Sequence, residues 1–133
     1  MATIDIREII FGMPHRFDRN KANGLVADIQ FIIEGEGGGH FLLQLENGIC
    51  LAEERLHESP TLMLRMSRKT YIDMALGKLK GPQAFFTRKL RYQGDIKLLM
   101  KMHSLFPVIE KADIEKRKKS SFNKGIGQKG KLS

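Results

Sequence analysis

The chain contains little cysteine, proline or tryptophan and lacks any long hydrophobic run. Its 133 residues include one Cys, four Pro and no Trp. Because a single thiol excludes an internal disulfide and is typical of a reducing compartment, we expect a cytoplasmic protein. No apolar stretch approaches the roughly 20 residues that span a bilayer. The N-terminus also lacks the basic start and apolar centre of a signal peptide.

The residue patterns that catalysis and metal binding require are absent as well. One Cys and four His, none spaced i, i+4 from another, do not form a zinc-ligand set. Carboxylate pairs occur at Glu34 with Glu36 and at Glu53 with Glu54, in places where solvated charge is the ordinary state. The glycine-rich run 35–39 lies between two predicted strands, so we interpret it as a hairpin turn and not as a phosphate loop. We predict no catalytic residues, no metal and no cofactor.

Positive charge is concentrated near the C-terminal end of the sequence. The net charge is +8, and residues 110–133 contain eight Lys/Arg against three Asp/Glu. This segment is polar, so we expect a folded domain at 1–109 and a basic tail at 110–133 that does not order itself. Such a tail is either solvated or attracted to an anionic membrane surface. Its densest basic run consists of Lys116, Arg117, Lys118 and Lys119.

Alternation of apolar and polar side chains predicts five short strands. They cover residues 25–34, 40–46, 49–52, 61–66 and 89–93. Asn47-Gly48 is a strong signal for a tight hairpin, so the first three strands form an antiparallel meander. Cys50 lies in the third strand, where we expect it to behave as a small hydrophobic residue.

Helical periodicity accounts for most of the remaining sequence. The first helix is predicted from Thr3 to Met13 and ends at Pro14. Ser67 and Asp95 can cap the helices that follow them. The apolar stripe predicted for the last helix consists of Ile96, Leu99, Met100, His103 and Phe106. Together the elements predict an α+β fold with a five-stranded, mainly antiparallel sheet covered by helices on one face.

Four stretches of the sequence together resemble a known domain family. They are MPHRFDRNKANGL, QFIIEGEGGGHFLLQLENG, TLMLRMSRKTYIDMALGKL and GKLKGPQAFFTRKLRYQGDIKLLMKMHSLF. Their order and spacing are similar to those of the sterol carrier protein 2 domain, also called the nonspecific lipid-transfer protein domain. The resemblance covers roughly residues 13–106, and the chain is little longer than that, as in the standalone prokaryotic type of this family.

The resemblance implies a non-enzymatic lipid-binding or lipid-transfer protein with an apolar tunnel between the sheet and the helices. The implied ligands are fatty acid, fatty acyl-CoA or phospholipid. Carried over by position, the tunnel lining consists of Phe31, Ile33, Leu64, Met66, Phe85, Phe86, Leu99, Met100 and His103.

Two other interpretations compete with lipid binding. Stripes of Met and Phe also form ordinary cores, and an apolar helix face can serve as a protein–protein interaction module. The third hypothesis is a nucleic-acid binder that acts through the basic tail. The predicted sheet lacks a basic face with interleaved aromatic residues, which recognition by base stacking would use, so no specific nucleic acid is expected as a partner.

Overall fold

Helices and strands are interspersed along residues 4–109, the part of the chain that the computed structural model describes. In chain order they are α1 (Ile6–Arg16), α2 (Arg19–Ala22), β1 (Ala27–Glu34), β2 (Gly39–Glu46), β3 (Ile49–Glu53), β4 (Leu62–Ser67), α3 (Arg68–Ala75), α4 (Gly81–Phe86), β5 (Leu90–Gly94) and α5 (Ile96–Leu105). The predicted α+β class is confirmed. The predicted tail and its basic run at 116–119 lie outside the described residues.

The five strands form one sheet in the order β3-β2-β1-β4-β5. The predicted meander of β1, β2 and β3 is confirmed, and Asn47 and Gly48 both take positive φ in its second turn. The pair β4 and β5 is also antiparallel, whereas β1 and β4 are parallel. The chain must therefore cross the sheet between β3 and β4, and residues 54–61 make this crossover.

The strand register directs the alternating apolar side chains to one face. Phe31 on β1 lies opposite Phe41 on β2 and Leu64 on β4. All three side chains are buried, and the core cluster that contains them also takes in residues of α1, α3, α4 and α5. The prediction that helices cover one face of the sheet is thus confirmed.

The opposite face is partly covered by the crossover, which Gln30 holds in place. The Gln30 side chain is fully buried, and its Nε2 donates to the carbonyl oxygens of Phe41 and Arg55, each at 3.0 Å. The backbone N–H of His57 donates to Gln30 Oε1 at 2.7 Å. Ile32, two residues along β1 on the same face as Gln30, is also buried although it lies on the predicted polar side of its strand.

Helix ends follow the predicted capping pattern with one exception. Ser67 accepts from the Thr70 N–H, and Asp95 accepts from the Lys97 and Leu98 N–H groups, as expected for N-caps. Pro14 does not end the first helix, because α1 continues to Arg16. A proline in the last turn removes only one helical N–H donor, so the helix can run past it.

The described chain extends beyond α5 and returns to α3. Ile109 is buried, and its N–H donates to the Ala75 carbonyl oxygen at 2.8 Å. Val108 lies against Gly77, just past the end of α3. Across residues 4–109, no helix combines the length and hydrophobicity needed to cross a membrane.

Candidate functional site

Four of the predicted lining residues form a compact apolar floor on the helix-facing side of the sheet. Phe31 and Ile33 on β1 lie opposite Leu64 and Met66 on the parallel strand β4. Each is 3% exposed. Parallel neighbours in the same register bring their side chains together on one face, so the floor follows directly from the β1–β4 pairing.

The floor is covered from one side by α3. The Tyr71 ring packs edge-on to Phe31 with centroids 5.7 Å apart, and its hydroxyl donates to the Met13 sulfur at 3.3 Å. Burial raises the pKa of Tyr71 far above its usual value, although the nearby Arg16 acts in the opposite direction. The hydroxyl therefore stays protonated at neutral pH, and this side of the floor carries no negative charge.

On the other side, β5 connects the floor to α4. Tyr92 lies opposite Leu64 in the β4–β5 register, and the Phe85 ring lies 5.6 Å from the Tyr92 ring. Phe85 in turn contacts Phe86 with centroids 5.7 Å apart. Because Ala84 is the buried residue of α4, both phenylalanines lie towards the outside, and Phe86 is 79% exposed.

The inward face of α5 differs from the predicted stripe. Leu98 and Leu105 are its buried residues, and Leu99 and Met102 pack half-buried beside them. Leu98, Met102 and Leu105 follow the spacing i, i+4, i+7, which defines one helix face. This pattern was available in the sequence and is the signal that identifies the inward face.

Met100 and His103 lie on the outward side of α5, so the predicted orientation of these two residues is wrong. Met100 is 64% exposed, and Ile96, one turn earlier, is also exposed. The His103 ring is exposed, with its Nδ1 3.0 Å from the Met100 carbonyl oxygen. Successive residues of a helix are about 100° apart. The stripe predicted from the sequence is shifted by two positions, or about 200°, from the face that packs on the sheet, so most of it points away from the core.

The structure thus brings together some of the nine predicted lining residues and separates others. Five lie on or against the floor in the interior, namely Phe31, Ile33, Leu64, Met66 and Leu99. Phe85 contacts Tyr92, which lies opposite Leu64 and which sequence reasoning did not include. Phe86, Met100 and His103 are exposed on the outer side of the helix layer.

At least one carboxylate of each pair considered for catalysis is engaged in an exposed ion pair. Glu34 lies 3.4 Å from Arg65 and 3.6 Å from Arg91, and Glu54 lies 2.6 Å from Arg7. Within residues 4–109, no three His, Cys, Asp or Glu side chains gather in a way that could hold a metal ion. These groups are arranged as solvated charge, which matches the interpretation of the sequence.

The glycine-rich turn and the thiol also have structural explanations. Gly35 and Gly37 take positive φ between β1 and β2, and a side chain on Gly38 would collide with the Ile33 carbonyl. The predicted hairpin turn is therefore confirmed. Cys50 is buried in β3, and burial raises its pKa to about 12, so it remains a neutral thiol at physiological pH.

Known proteins similar to this chain fall into two size classes. Hydroxysteroid dehydrogenase-like protein 2 of Xenopus tropicalis is 30% identical over 77 residues, which is 57% of this chain but only 18% of that protein. The sec-alkylsulfatase Pisa1 from a Pseudomonas species shares the fold with a TM-score of 0.69 and 22% identity, over 82% of this chain and 17% of the sulfatase. In both, the matched region is a small part of a longer protein.

Small relatives match over nearly their whole length. The solution structure of palmitated SCP2L2 from Aedes aegypti superposes with a TM-score of 0.63 at 18% identity, over 78% of this chain and 93% of that one. At this identity the likeness establishes the fold alone. The sequence profile of the SCP-2 sterol transfer family matches residues 14–107, which is most of the chain. The chain therefore belongs to the SCP-2 sterol transfer family.

Proposed function

We propose that this protein is a non-enzymatic carrier that binds the acyl chain of a lipid between the sheet and the helices α4 and α5. Membership of the SCP-2 sterol transfer family supports lipid binding or transfer in general. The proposal of an acyl-chain site between the sheet and these helices rests on one observation. The apolar floor lies beside α4 and α5, and both helices carry exposed apolar residues on their outer side. The ligand classes are fatty acid, fatty acyl-CoA and phospholipid, which share a long acyl chain.

Apolar contact alone supplies enough free energy for such a site. Each CH₂ group moved out of water contributes about 0.8 kcal/mol, so a chain of about sixteen carbons brings on the order of 10 kcal/mol before ordering costs. Because this interaction is non-directional, we expect loose selectivity for chain type. Palmitated SCP2L2 from Aedes aegypti, which shares the fold, is consistent with an acyl ligand.

Eight of the nine predicted lining residues would then have two kinds of role, whereas His103, exposed on the outer side of α5, is left out of the proposed site. The floor residues Phe31, Leu64 and their neighbours would contact the chain in the interior. Phe85, Phe86 and Met100 would contact it where it enters, after a small outward movement of α4 or α5. Leu98, Met102 and Tyr92 are added to the proposed lining because they face the floor.

The direct test is binding of a fluorescent fatty acid to the purified full-length chain. We expect about one probe per chain, displaced by unlabelled acyl chains, and a co-purified lipid in native mass spectrometry. Absence of acyl binding in a folded protein would overturn the carrier proposal.

A second candidate is a protein–protein interaction module. The observation that favours it is the same exposed apolar surface on α4 and α5, since exposed apolar patches also mark protein contacts. The two candidates separate in one experiment, because only the carrier proposal expects acyl chains to bind in the absence of any protein partner.

A further inference from the structure

The excess of positive over negative charge in the described fold comes from one segment. Residues 78–101, which include α4 and β5 and reach into α5, contain seven Lys/Arg and one Asp. The rest of residues 4–109 contains eight Lys/Arg and eleven Asp/Glu, so it is net negative. We refer to the seven cations of the segment as the basic edge; they are Lys78, Lys80, Arg88, Lys89, Arg91, Lys97 and Lys101.

The cations of the basic edge are turned towards solvent. All seven side chains are exposed. Among the ion pairs of the described residues, only Arg91 of this set takes part, at 3.6 Å from Glu34. The positive charge is therefore hardly neutralised within the fold and is available to an external anionic partner.

The same segment carries the largest exposed hydrophobic side chains of the helix layer near the β5 edge. Phe85, Phe86, Ile96 and Met100 are all exposed, and Ile96 and Met100 lie one turn apart on the same side of α5. The helix α4 contacts β5, and α5 contacts the neighbouring strand β4. Exposed aromatic and aliphatic side chains of two helices that pack against the neighbouring strands β4 and β5 thus alternate along this segment with exposed lysines and arginines.

We propose that the basic edge and the apolar side chains within it form a docking surface for an anionic lipid bilayer. A lysine close to an anionic leaflet is attracted to it, and an apolar side chain that enters the interface leaves water. The combination of a charge excess with exposed Phe, Ile and Met side chains fits a bilayer surface, which offers anionic headgroups above an apolar layer. Docking here would hold α4 and α5, where the proposed ligand enters, against the membrane.

The docking proposal differs from attraction through the tail because it assigns the contact to the fold itself. It also stands apart from the proposed acyl site, since a protein can dock on a bilayer without binding an acyl chain inside. Binding to vesicles and binding of a soluble acyl probe are therefore measured separately on each variant.

The first test reverses charge inside and outside the basic edge in the full-length chain. The variant Lys97→Glu with Lys101→Glu is compared with Lys21→Glu with Lys69→Glu, which changes net charge equally on α2 and α3. In co-sedimentation with vesicles of phosphatidylcholine and phosphatidylserine, we expect the first variant to bind about thirtyfold more weakly or worse. The second should bind within about threefold of the unchanged protein.

The second test removes one apolar side chain from each layer of the molecule. Ile96 on α5 is 52% exposed, and Ile49 on β3, at the far edge of the sheet, is 57% exposed. We expect Ile96→Ser to weaken vesicle binding about fivefold, because part of an isoleucine side chain no longer enters the interface. Ile49→Ser should leave vesicle binding unchanged, and both variants should retain acyl-probe binding.

Several outcomes would overturn the docking proposal. Equal loss of vesicle binding in the two charge variants would mean that only net charge matters. Equal binding to vesicles of pure phosphatidylcholine would remove the role of the basic edge. A full-length protein that binds an acyl probe but no anionic vesicle would keep the carrier proposal and exclude the bilayer as the partner of this edge, leaving a protein partner for it.

Discussion

The two halves of the helix layer differ in how far they bury aromatic side chains. In the half formed by α1 and α3, which we call the closed half, Phe41 of the sheet is fully buried, with its ring edge-on to Phe11 at a centroid distance of 6.1 Å. The half formed by α4 and α5 is called the open half. In the open half, α4 and α5 leave apolar side chains in water, and among residues 4–109 the ring of Phe86 has only Phe85 as an aromatic neighbour. The same residue type thus stabilises the fold in one half and remains available for contact in the other.

The contrast shows why apolar composition by itself does not locate a binding site. Burial of an apolar side chain in the closed half contributes to folding, whereas exposed apolar surface in the open half contributes nothing until something covers it. A residue's role is therefore set by whether its neighbours in the fold have already removed it from water.

The largest expected effect comes from matched phenylalanine truncations in the two halves. Phe41→Ala should lower the free energy of unfolding by about 3–5 kcal/mol, because it opens a cavity in a packed interior. Phe86→Ala should change it by less than about 0.5 kcal/mol, because the side chain is mostly in water. Urea denaturation of both variants measures the difference. Similar losses of unfolding free energy in the two variants would mean that Phe86 is buried in solution.

The next largest effect is expected when the chain is shortened at the C-terminal end of the described fold. A chain that stops after Pro107 loses the buried Ile109 side chain and its N–H bond to Ala75. We expect its free energy of unfolding to fall by about 2 kcal/mol. A chain that stops after Ile109 should be as stable as the full-length protein.

The same pair of truncations tests the predicted role of the tail. Removal of residues 110–133 takes away a net charge of +5, so the chain that stops after Ile109 should bind anionic vesicles more weakly. This loss should shrink as salt is raised, with a Debye length of about 8 Å at physiological ionic strength. If the chain that stops after Ile109 is destabilised, the domain boundary at 109 is wrong. Unchanged vesicle binding would instead mean that the tail is solvated and does not contact the membrane.

A charge at Met100 probes the open half directly. Because Met100 is exposed, Met100→Glu should change the free energy of unfolding by less than about 0.5 kcal/mol. A carboxylate beside an entering acyl chain should weaken acyl-probe binding about tenfold or more. Met100→Leu, which keeps an apolar side chain, serves as the control and should bind normally. Unchanged affinity in the Glu variant would remove this face of α5 from the binding site.

The smallest effect under ordinary conditions is expected at Cys50 in the closed half. Burial raises the pKa of this thiol from 9.0 to about 12, so the folded state favours the neutral form. Its contribution to stability is fully present below about pH 9 and is lost as the pH rises from about 9 towards 12. Thiol alkylation at pH 8 should be slow in the native protein and fast in urea. Rapid native alkylation would mean that β3 opens readily.

Local signals in the sequence determined much of the secondary structure. Ser67 and Asp95 cap their helices, and the Asn47-Gly48 hairpin forms, because each depends on a few neighbouring residues. The floor residues Phe31 and Ile33 could be assigned to the buried face because alternation along a strand fixes which side chains point together. The family pattern then supplied the overall fold, which no single local signal contains.

Only the tertiary structure decided how these elements meet. The parallel pairing of β1 with β4 requires a crossover of the chain, and that crossover bonds to Gln30, which is buried on a side that alternation assigned to solvent. The rotation of α5 depends on which residues pack against the sheet, and two apolar stripes were available to it. Long-range packing selects Leu98 and Leu105 and leaves Met100 in water, because the free energy of burial depends on the partner surface and not on the sequence of the helix alone.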